Sequence, residues 1–282
     1  MQVRKEKRVL YHNAQLAFGS SLDYPPFAKH RLHTHDRCEI YCVFRGSGYY
    51  ITEGSRYPLE HGRIILMRPG EMHMLEPMGE EPRDSLSFHF DCSLVDSIDP
   101  KRQLLEPFFS RPLGMQNVYD HSIVATTEIY TLFRKMRELD QDNESNCLHA
   151  SAMLLCVLSE LKSLFDKKLY STQKINSIPT SEIVDYVNQR LTEDLSPEQL
   201  CETFRLSRSH LDRIFKRDTG SPLCSYITLK RLLLAKGYID DGMRAMRAAI
   251  AAGFTDYSTF YRAYCKTFHC PPTGSPENPF SK

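Results

Sequence analysis

Two stretches decide the fold: SPEQLCETFRLSRSHLDRIFK, residues 196–216, and GFTDYSTFYRAYCK, residues 253–266. In the first, Ser196 stands as a helix cap, Pro197 takes the first helical position, and Gln199 is placed for a capping box. Leu195 and Leu200 fall at the staple positions, and Leu200 with Phe204 makes one apolar face. The chain then turns at Arg205-Leu206-Ser207, and Ser207 caps a second helix. Its inner stripe is Leu211, Ile214 and Phe215; its outer face carries Arg208, Ser209, His210, Arg213, Lys216 and Arg217. Forty-nine residues later the pattern recurs, His210-Leu211-Asp212-Arg213-Ile214-Phe215 becoming Thr259-Phe260-Tyr261-Arg262-Ala263-Tyr264. Arg213 and Arg262 thus hold the same place in two copies. A short helix over Met246 to Ala252 precedes the second copy and leaves through Gly253, after which Phe254 plugs the core as Leu206 does. Two short helices joined by a tight turn, the second with cations and hydroxyls outside, is a helix-turn-helix layout. It occurs twice.

The charge distribution agrees. The chain of 282 residues is long enough for two domains, and its 25% charged and 41% hydrophobic residues are ordinary for a soluble globular protein. The net charge of +1 says little, but Thr203 to Cys270 holds twelve Lys and Arg against five Asp and Glu, while residues 1–173 hold 21 against 23. A basic carboxy-terminal module on a near-neutral body suits a phosphate backbone. Nine cysteines without a Cys-x-x-Cys pair, Cys42 and Cys156 among them in apolar runs, read as core residues of a reducing compartment. The stretch Met1 to Arg8 lacks the apolar core of a signal peptide, and the longest apolar run, Ala152 to Leu158, is short for a membrane span. The expectation is a soluble cytoplasmic protein without a membrane partner.

At the carboxy-terminal residues the sequence resembles the AraC/XylS family of transcription regulators. The resemblance rests on the run Ser207 to Lys216, the break Thr219-Gly220-Ser221-Pro222, the linker helix from Tyr226-Ile227 through Lys230-Arg231-Leu232-Leu233-Leu234-Ala235, and Gly253-Phe254-Thr255-Asp256 followed by Ser258, Phe260, Arg262 and Lys266. It covers about the last 105 residues. The departures are an Ala-rich helix opening the second module and the ending His269 to Ser275. The resemblance implies two modules that set their second helices in successive major grooves of double-stranded DNA. Arg208, Ser209, His210 and Arg213, with Tyr257, Ser258, Thr259 and Arg262, are then the base-edge candidates. Lys216, Arg217 and Lys266 lie further along and suit phosphate. RNA polymerase and a second copy of the chain are the implied partners, and activation is the implied sign.

Toward the amino terminus the texture changes. Residues 1–30 are poorly patterned, with Tyr24-Pro25-Pro26-Phe27 as an extended entry. From His33 to Phe90 short runs (Glu39–Phe44, Gly48–Thr52, Arg63–Met67, Leu86–Phe90) are cut by turns at Arg45-Gly46-Ser47-Gly48, Glu53-Gly54-Ser55 and Glu60-His61-Gly62. That spacing predicts a small antiparallel barrel or jelly roll. Within it lie His33-x-His35, Glu39, Gly46, Gly62 and Pro69-Gly70-x-x-His73, a spacing similar to the two cupin motifs, with Arg68 where a proline is common. His33, His35 and Glu39 alternate as if along one strand, and His73 is expected opposite them. This tetrad is a competent set for a divalent metal. The preferred reading is a pocket lined by His33, His35, Glu39, Tyr41, Arg68 and His73 that holds a small-molecule effector, a carbohydrate being one class, with no cofactor required. Glu71 is a further contact candidate.

Helical periodicity follows residues 91–120, which read as irregular. Ser122 to Leu139 carries Ile129, Leu132, Phe133 and Met136 on one stripe; Glu144 to Lys168 carries Leu154, Leu158, Leu161 and Phe165, a seam wide enough for a partner helix. The fold class expected is a two-domain α+β chain, a cupin-like barrel with packed helices followed by an all-α domain. The bounds are 1–120 for the barrel, 121–170 for a helical dimerisation region, 171–180 for a linker rich in Ser, Thr and Asn, and 181–282 for the double helix-turn-helix. A sequence-specific transcription regulator under small-molecule control accounts for both halves. The alternative, a metal-dependent cupin enzyme, leaves the repeated helices unexplained.

Overall fold

The computed structural model describes residues 5–12, 15–27, 32–53, 55–139, 145–171 and 178–272. The chain forms two compact units, residues 1–175 and 176–282. The expected linker, 171–180, lies largely outside the described residues, as do Gly54 and the end from Thr273 onward.

The first unit is built on two antiparallel sheets. β1 (Lys5–His12), β2 (Leu16–Asp23), β8 (Arg83–Phe90), β3 (Cys38–Arg45), β6 (Ile64–Met67) and β9 (Val118–Tyr119) form the larger, in the order β1-β2-β8-β3-β6-β9; β5 (Ser55–Pro58), β4 (Ser47–Thr52) and β7 (His73–Met78) form the smaller, in the order β5-β4-β7. The strands alternate apolar residues to both faces. Tyr41 and Val43 of β3, Ile65 and Met67 of β6 and Val118 of β9 meet Tyr50, Tyr57 and Leu75 of the smaller sheet in one core. The intervening residues Cys38, Ile40, Cys42, Ile64, Leu66, Leu86, Phe88 and Phe90 face the other way, into a second core with the helices. A larger sheet buried on both faces accounts for its continuous apolar runs.

Those helices are α1 (Glu106–Phe109), α2 (His121–Val124), α3 (Ile129–Arg137) and α4 (Ser145–Asp166). Val124, Ile129, Phe133, Met136, Leu154, Leu158 and Leu161 are fully buried in the same core as Phe18 and Phe88. Helices α2 to α4 therefore complete the sheet's own core, and Leu154, Leu158 and Leu161 of the stripe read as a seam for a partner helix are spent within the unit. The single helix expected over Ser122 to Leu139 is two: Thr126 and Thr127 hydroxyls donate to the carbonyls of Ile123 and Val124 at 2.7 Å, ending α2 early. Residues 5–12 and 16–23, read as unpatterned, pair as the antiparallel strands β1 and β2. Cys156, expected in the core, is exposed on α4. The window Leu148–Asp166 is long and apolar enough to cross a membrane by length and composition, contrary to expectation, yet its inner stripe is packed in the core just described.

The second unit is all helical: α5 (Ile178–Gln189), α6 (Pro197–Phe204), α7 (Arg208–Thr219), α8 (Leu223–Asp240), α9 (Ala245–Ala251) and α10 (Tyr257–Phe268). Arg231 of α8 donates from Nε to the Leu191 carbonyl at 2.8 Å and from Nη2 to that of Glu193 at 2.7 Å, tying the long helix to the turn that follows α5. Gly253, at φ +90°, closes on the same spot; a Cβ there would lie 2.9 Å from the Leu191 oxygen and 3.0 Å from Arg231 Nε. The glycine is thus required both by its backbone angle and by the approach.

Candidate functional site

In the first unit a polar cluster sits between the sheets. Glu39 of β3 shares the inward face with Tyr41 and Val43, and in the antiparallel register it lies directly opposite His89 of β8. The segment carrying His33 and His35 is not part of β3. It runs against residues 70–73 instead: His33 and His73 exchange backbone hydrogen bonds at 3.0 and 2.9 Å, and the Gly70 amide donates to the His35 carbonyl at 3.0 Å. His33, His35 and Glu39 therefore do not alternate along one strand, because residues 34–37 turn between the bridge at His33 and the start of β3. The turn nonetheless brings His35 onto Glu39.

One carboxylate oxygen is the hub. Glu39 Oε2 lies 2.9 Å from His35 Nε2, 3.2 Å from His73 Nε2 and 3.9 Å from His89 Nδ1. Glu39 and His73 are buried, at 4% and 1% exposure, while His35 and His89 reach the surface in part. His33 is exposed and stacks edge-on against His73, centroids 4.4 Å apart. The donor atoms of His35, Glu39 and His89 lie within 4.8 Å of one another, and no other such group occurs among the described residues. Burial opposes charge on Glu39, but the facing His89 and the contacts with His35 and His73 hold its carboxyl well below the usual carboxylate range. His73 is raised despite its burial, because Glu39 stabilises its protonated form; burial pulls His89 down.

The remaining expected pocket residues divide. Tyr41 is interior: its hydroxyl accepts from Arg83 Nη1 at 2.8 Å, and its ring lies 4.9 Å from that of Tyr50. Arg83 is also paired with Asp23, its cross-strand neighbour, and burial draws the guanidinium down to about 10. Arg68 Nη1 instead donates to the carbonyls of Phe109 and Arg111, at 3.1 and 3.2 Å. Glu71 is wholly buried against Arg111, which donates to its two oxygens at 2.8 and 2.6 Å. That pair holds the loop bearing His73. Sequence reading missed His89, Arg83 and Arg111. A signal for His89 was available in β8, where Ser85, Ser87 and His89 alternate with Leu86, Phe88 and Phe90, but a polar alternate face ordinarily means water.

The second unit presents two matched helices. The Ser196 hydroxyl accepts from the Gln199 amide at 3.4 Å at the start of α6, as expected, but Gln199 does not return the bond: the Ser196 amide donates to Asp194 at 2.9 Å. The Ser207 hydroxyl accepts from the His210 amide at 3.4 Å and starts α7; Asp256 accepts from the amides of Thr259 and Ser258, at 2.6 and 3.3 Å, and starts α10. Leu211, Ile214 and Phe215 are buried, as are Phe260 and Tyr264. Arg208, Ser209, His210, Arg213, Lys216 and Arg217 are exposed on α7, and Ser258, Thr259, Arg262 and Lys266 on α10. Tyr257 is half-buried, its ring 5.6 Å from that of Phe260. Arg217 is engaged by the buried carboxylate of Asp218, which also accepts from the Thr180 hydroxyl at 2.7 Å.

Comparison with known proteins matches each unit. The family described as the AraC-like ligand binding domain covers residues 18–158, and a helix-turn-helix domain family covers residues 200–274. The transcriptional activator RhaR of Mannheimia succiniciproducens is 20% identical over 88% of this chain and 87% of its own length. The uncharacterized transcriptional regulator YbfI of Bacillus subtilis is 23% identical over 80% and 79%. Among solved structures, ToxT from Vibrio cholerae is 14% identical over 91% of this chain and 96% of its own, with a TM-score of 0.39.

Proposed function

Because the chain belongs to the AraC family of transcription regulators, with a ligand-binding domain ahead of a helix-turn-helix DNA-binding domain, we propose that it reads DNA with two helix-turn-helix modules under control of a small molecule held in a cupin-like barrel. The observation that carries the first part is the repeat. α7 and α10 are both twelve residues long and begin 49 residues apart. Buried Leu211 and Phe215 match buried Phe260 and Tyr264, and exposed Arg213 matches exposed Arg262. One structural unit used twice, each with its cation on the open face, supports two groove-reading helices. Arg208, Ser209, His210 and Arg213 are assigned to base edges in one module, and Ser258, Thr259 and Arg262, flanked by Tyr257, in the other. Lys216, Arg217 and Lys266 are assigned to phosphate.

For the sensor, the support is the group of hydrogen-bonding side chains between the sheets, Glu39, Tyr41, His73, His35 and Arg83. A carbohydrate is the first effector class to test. The regulator is taken to act in the cytoplasm, to activate, as the relative named an activator suggests, and to engage RNA polymerase. A homodimer formed through 121–170 would use the open face of α4, where Leu148, Ala152 and Cys156 are exposed. An effector that binds one arrangement better than another then shifts the population competent for DNA. The enzyme alternative is set aside, since the relatives are transcription regulators.

The test is specific binding to fragments selected from random DNA. Arg213→Ala and Arg262→Ala should each weaken it by roughly 1–3 kcal/mol and relax preference at separate parts of the site. Unchanged affinity in Arg262→Ala would remove the second module as a base reader.

A further inference from the structure

The polar cluster contains a mismatch of acceptors. His35 meets the Arg37 carbonyl through Nδ1 at 2.9 Å and Glu39 through Nε2 at 2.9 Å. His73 meets the Glu71 carbonyl through Nδ1 at 2.8 Å, and its Nε2 lies 3.2 Å from the same Glu39 oxygen. A carbonyl oxygen only accepts, so Nδ1 carries a hydrogen in both rings. In a neutral ring Nε2 is then a bare lone pair, and here each lies close to the same carboxylate oxygen. The contact from His73 lacks the alignment of a hydrogen bond; its Nε2 is buried with no hydrogen-bond partner among the described residues. Without a bound ion, protonating both rings answers the mismatch, but it sets two imidazolium ions 5.0 Å apart, centroid to centroid, with a third imidazole, His89, 4.8 Å from His35. A single cation held by neutral rings answers it without that repulsion. Imidazoles fixed through one nitrogen to a backbone carbonyl, with the other nitrogen free, are also how proteins orient metal-binding histidines.

We infer that His35, Glu39, His73 and His89 form a binding site for a first-row divalent cation such as zinc, iron(II), cobalt(II) or nickel(II). Three imidazole nitrogens and one carboxylate oxygen favour these ions over magnesium or calcium, which take oxygen donors. Donors about 2.0–2.2 Å from a tetrahedral ion stand about 3.3–3.6 Å from each other. The separations from Glu39 Oε2, 2.9, 3.2 and 3.9 Å, bracket that span. The set differs from the tetrad read in the sequence: His89, brought opposite Glu39 by strand register, stands in place of the exposed His33, and His73 joins the group of His35, Glu39 and His89 through its 3.2 Å approach to Glu39 Oε2. His35 and His89 are partly open to solvent, so an oxygen-rich effector could take a solvent-facing coordination position beside them. This deepens the sensor reading and rests on it for the cation's purpose, whereas the site itself rests on the cluster alone.

The experiment uses the full-length chain without a histidine tag, stripped with a chelator and dialysed. Cobalt(II) is titrated in, followed by visible absorption, and zinc(II) is titrated by calorimetry. One ion per chain is expected, with cobalt bands of a nitrogen and oxygen environment. His89→Ala and Glu39→Gln should each lower affinity at least about tenfold, while His33→Ala stays within about twofold. Circular dichroism of each metal-free variant confirms folding, and His89→Gln, closer in size, replaces His89→Ala if that variant fails. Absence of binding, His89 variants that bind like wild type, or a His33→Ala loss as large as that of His89→Ala would each overturn the inference. DNA binding measured on the same samples separates the two readings: DNA binding without metal binding sinks only this one, and the reverse sinks only the regulator.

Discussion

Removing one side of the Glu71–Arg111 pair is a severe test of how the first unit is held together. Both side chains are wholly buried. Arg111 donates to both Glu71 oxygens and to the carbonyls of Pro107 and Leu66, at 2.9 and 3.1 Å. Glu71 also accepts from the amides of Gly114 and Arg68, at 2.7 and 3.0 Å. Burial opposes the carboxylate, but Arg111 and these amides hold it below its ordinary range. Glu71→Leu would leave a guanidinium buried without a counter-charge, a cost of about 3–5 kcal/mol. For a unit of this size each kcal/mol moves Tm by about 2–4 °C, so a fall of about 6–20 °C is expected. Arg111→Met should cost a comparable amount. In Glu71→Leu/Arg111→Met no charge remains, although the Gly114 and Arg68 amides lose an acceptor at about 1 kcal/mol each. The double variant should therefore recover at least about 2 kcal/mol against the sum of the singles. Calorimetric scans of the full chain, with urea unfolding followed by circular dichroism, supply the three values. A single substitution costing under about 1 kcal/mol, or an additive double, would refute the argument.

Gly253→Ala should destabilise the second unit by at least about 2 kcal/mol, from a backbone angle that side chains resist and a Cβ against the Leu191 oxygen. Gly237→Ala, with open space in the last turn of α8, should stabilise it by up to about 1 kcal/mol, and equal effects in urea unfolding would contradict the geometry. Asp256 is held below the usual range by the hydrogen bonds it accepts at Thr259 and Ser258, so its cap contributes stability above an unfolded value of about 3.9 and loses it as pH falls through the folded value. Asp256→Asn should keep the cap and flatten the Tm of this unit between about pH 6 and about pH 3; an unaltered pH profile would refute the assignment. Lys216→Ala should lower the slope of log affinity against log salt by about one while leaving base preference unchanged, as competition binding at several salt concentrations would show.

Legibility in the sequence followed the distance over which a signal acts. The second unit was readable because its determinants are local: Ser196, Ser207 and Gly253 punctuate within one turn of the helices they bound, and the inner stripes repeat at helical spacing. His89 was not, since nothing near it announces that β8 pairs with β3 with His89 opposite Glu39. Arg111 comes from a loop 40 residues beyond its partner. β2 reads Leu-Ala-Phe-Gly-Ser-Ser-Leu-Asp, with a glycine and serines that weaken any strand pattern; its pairing with β8 along eight residues, not its own propensity, makes it a strand.

Two buried carboxylates a short way apart along the chain show how satisfaction separates scaffold from site. Glu71 has its oxygens met by a guanidinium and two amides, each a donor aimed at a lone pair. Such a network rigidifies what it touches. Glu39 is equally buried, yet what faces its oxygen is a set of imidazoles, and His73 Nε2 is left without a hydrogen bond among the described residues. The cluster, reached from solvent through His35 and His89, is where the proposed sensor would meet its ligand. The same loop carries both groups: Glu71 anchors it, and two residues on His73 enters the cluster, so the Glu71–Arg111 pair fixes the position of His73.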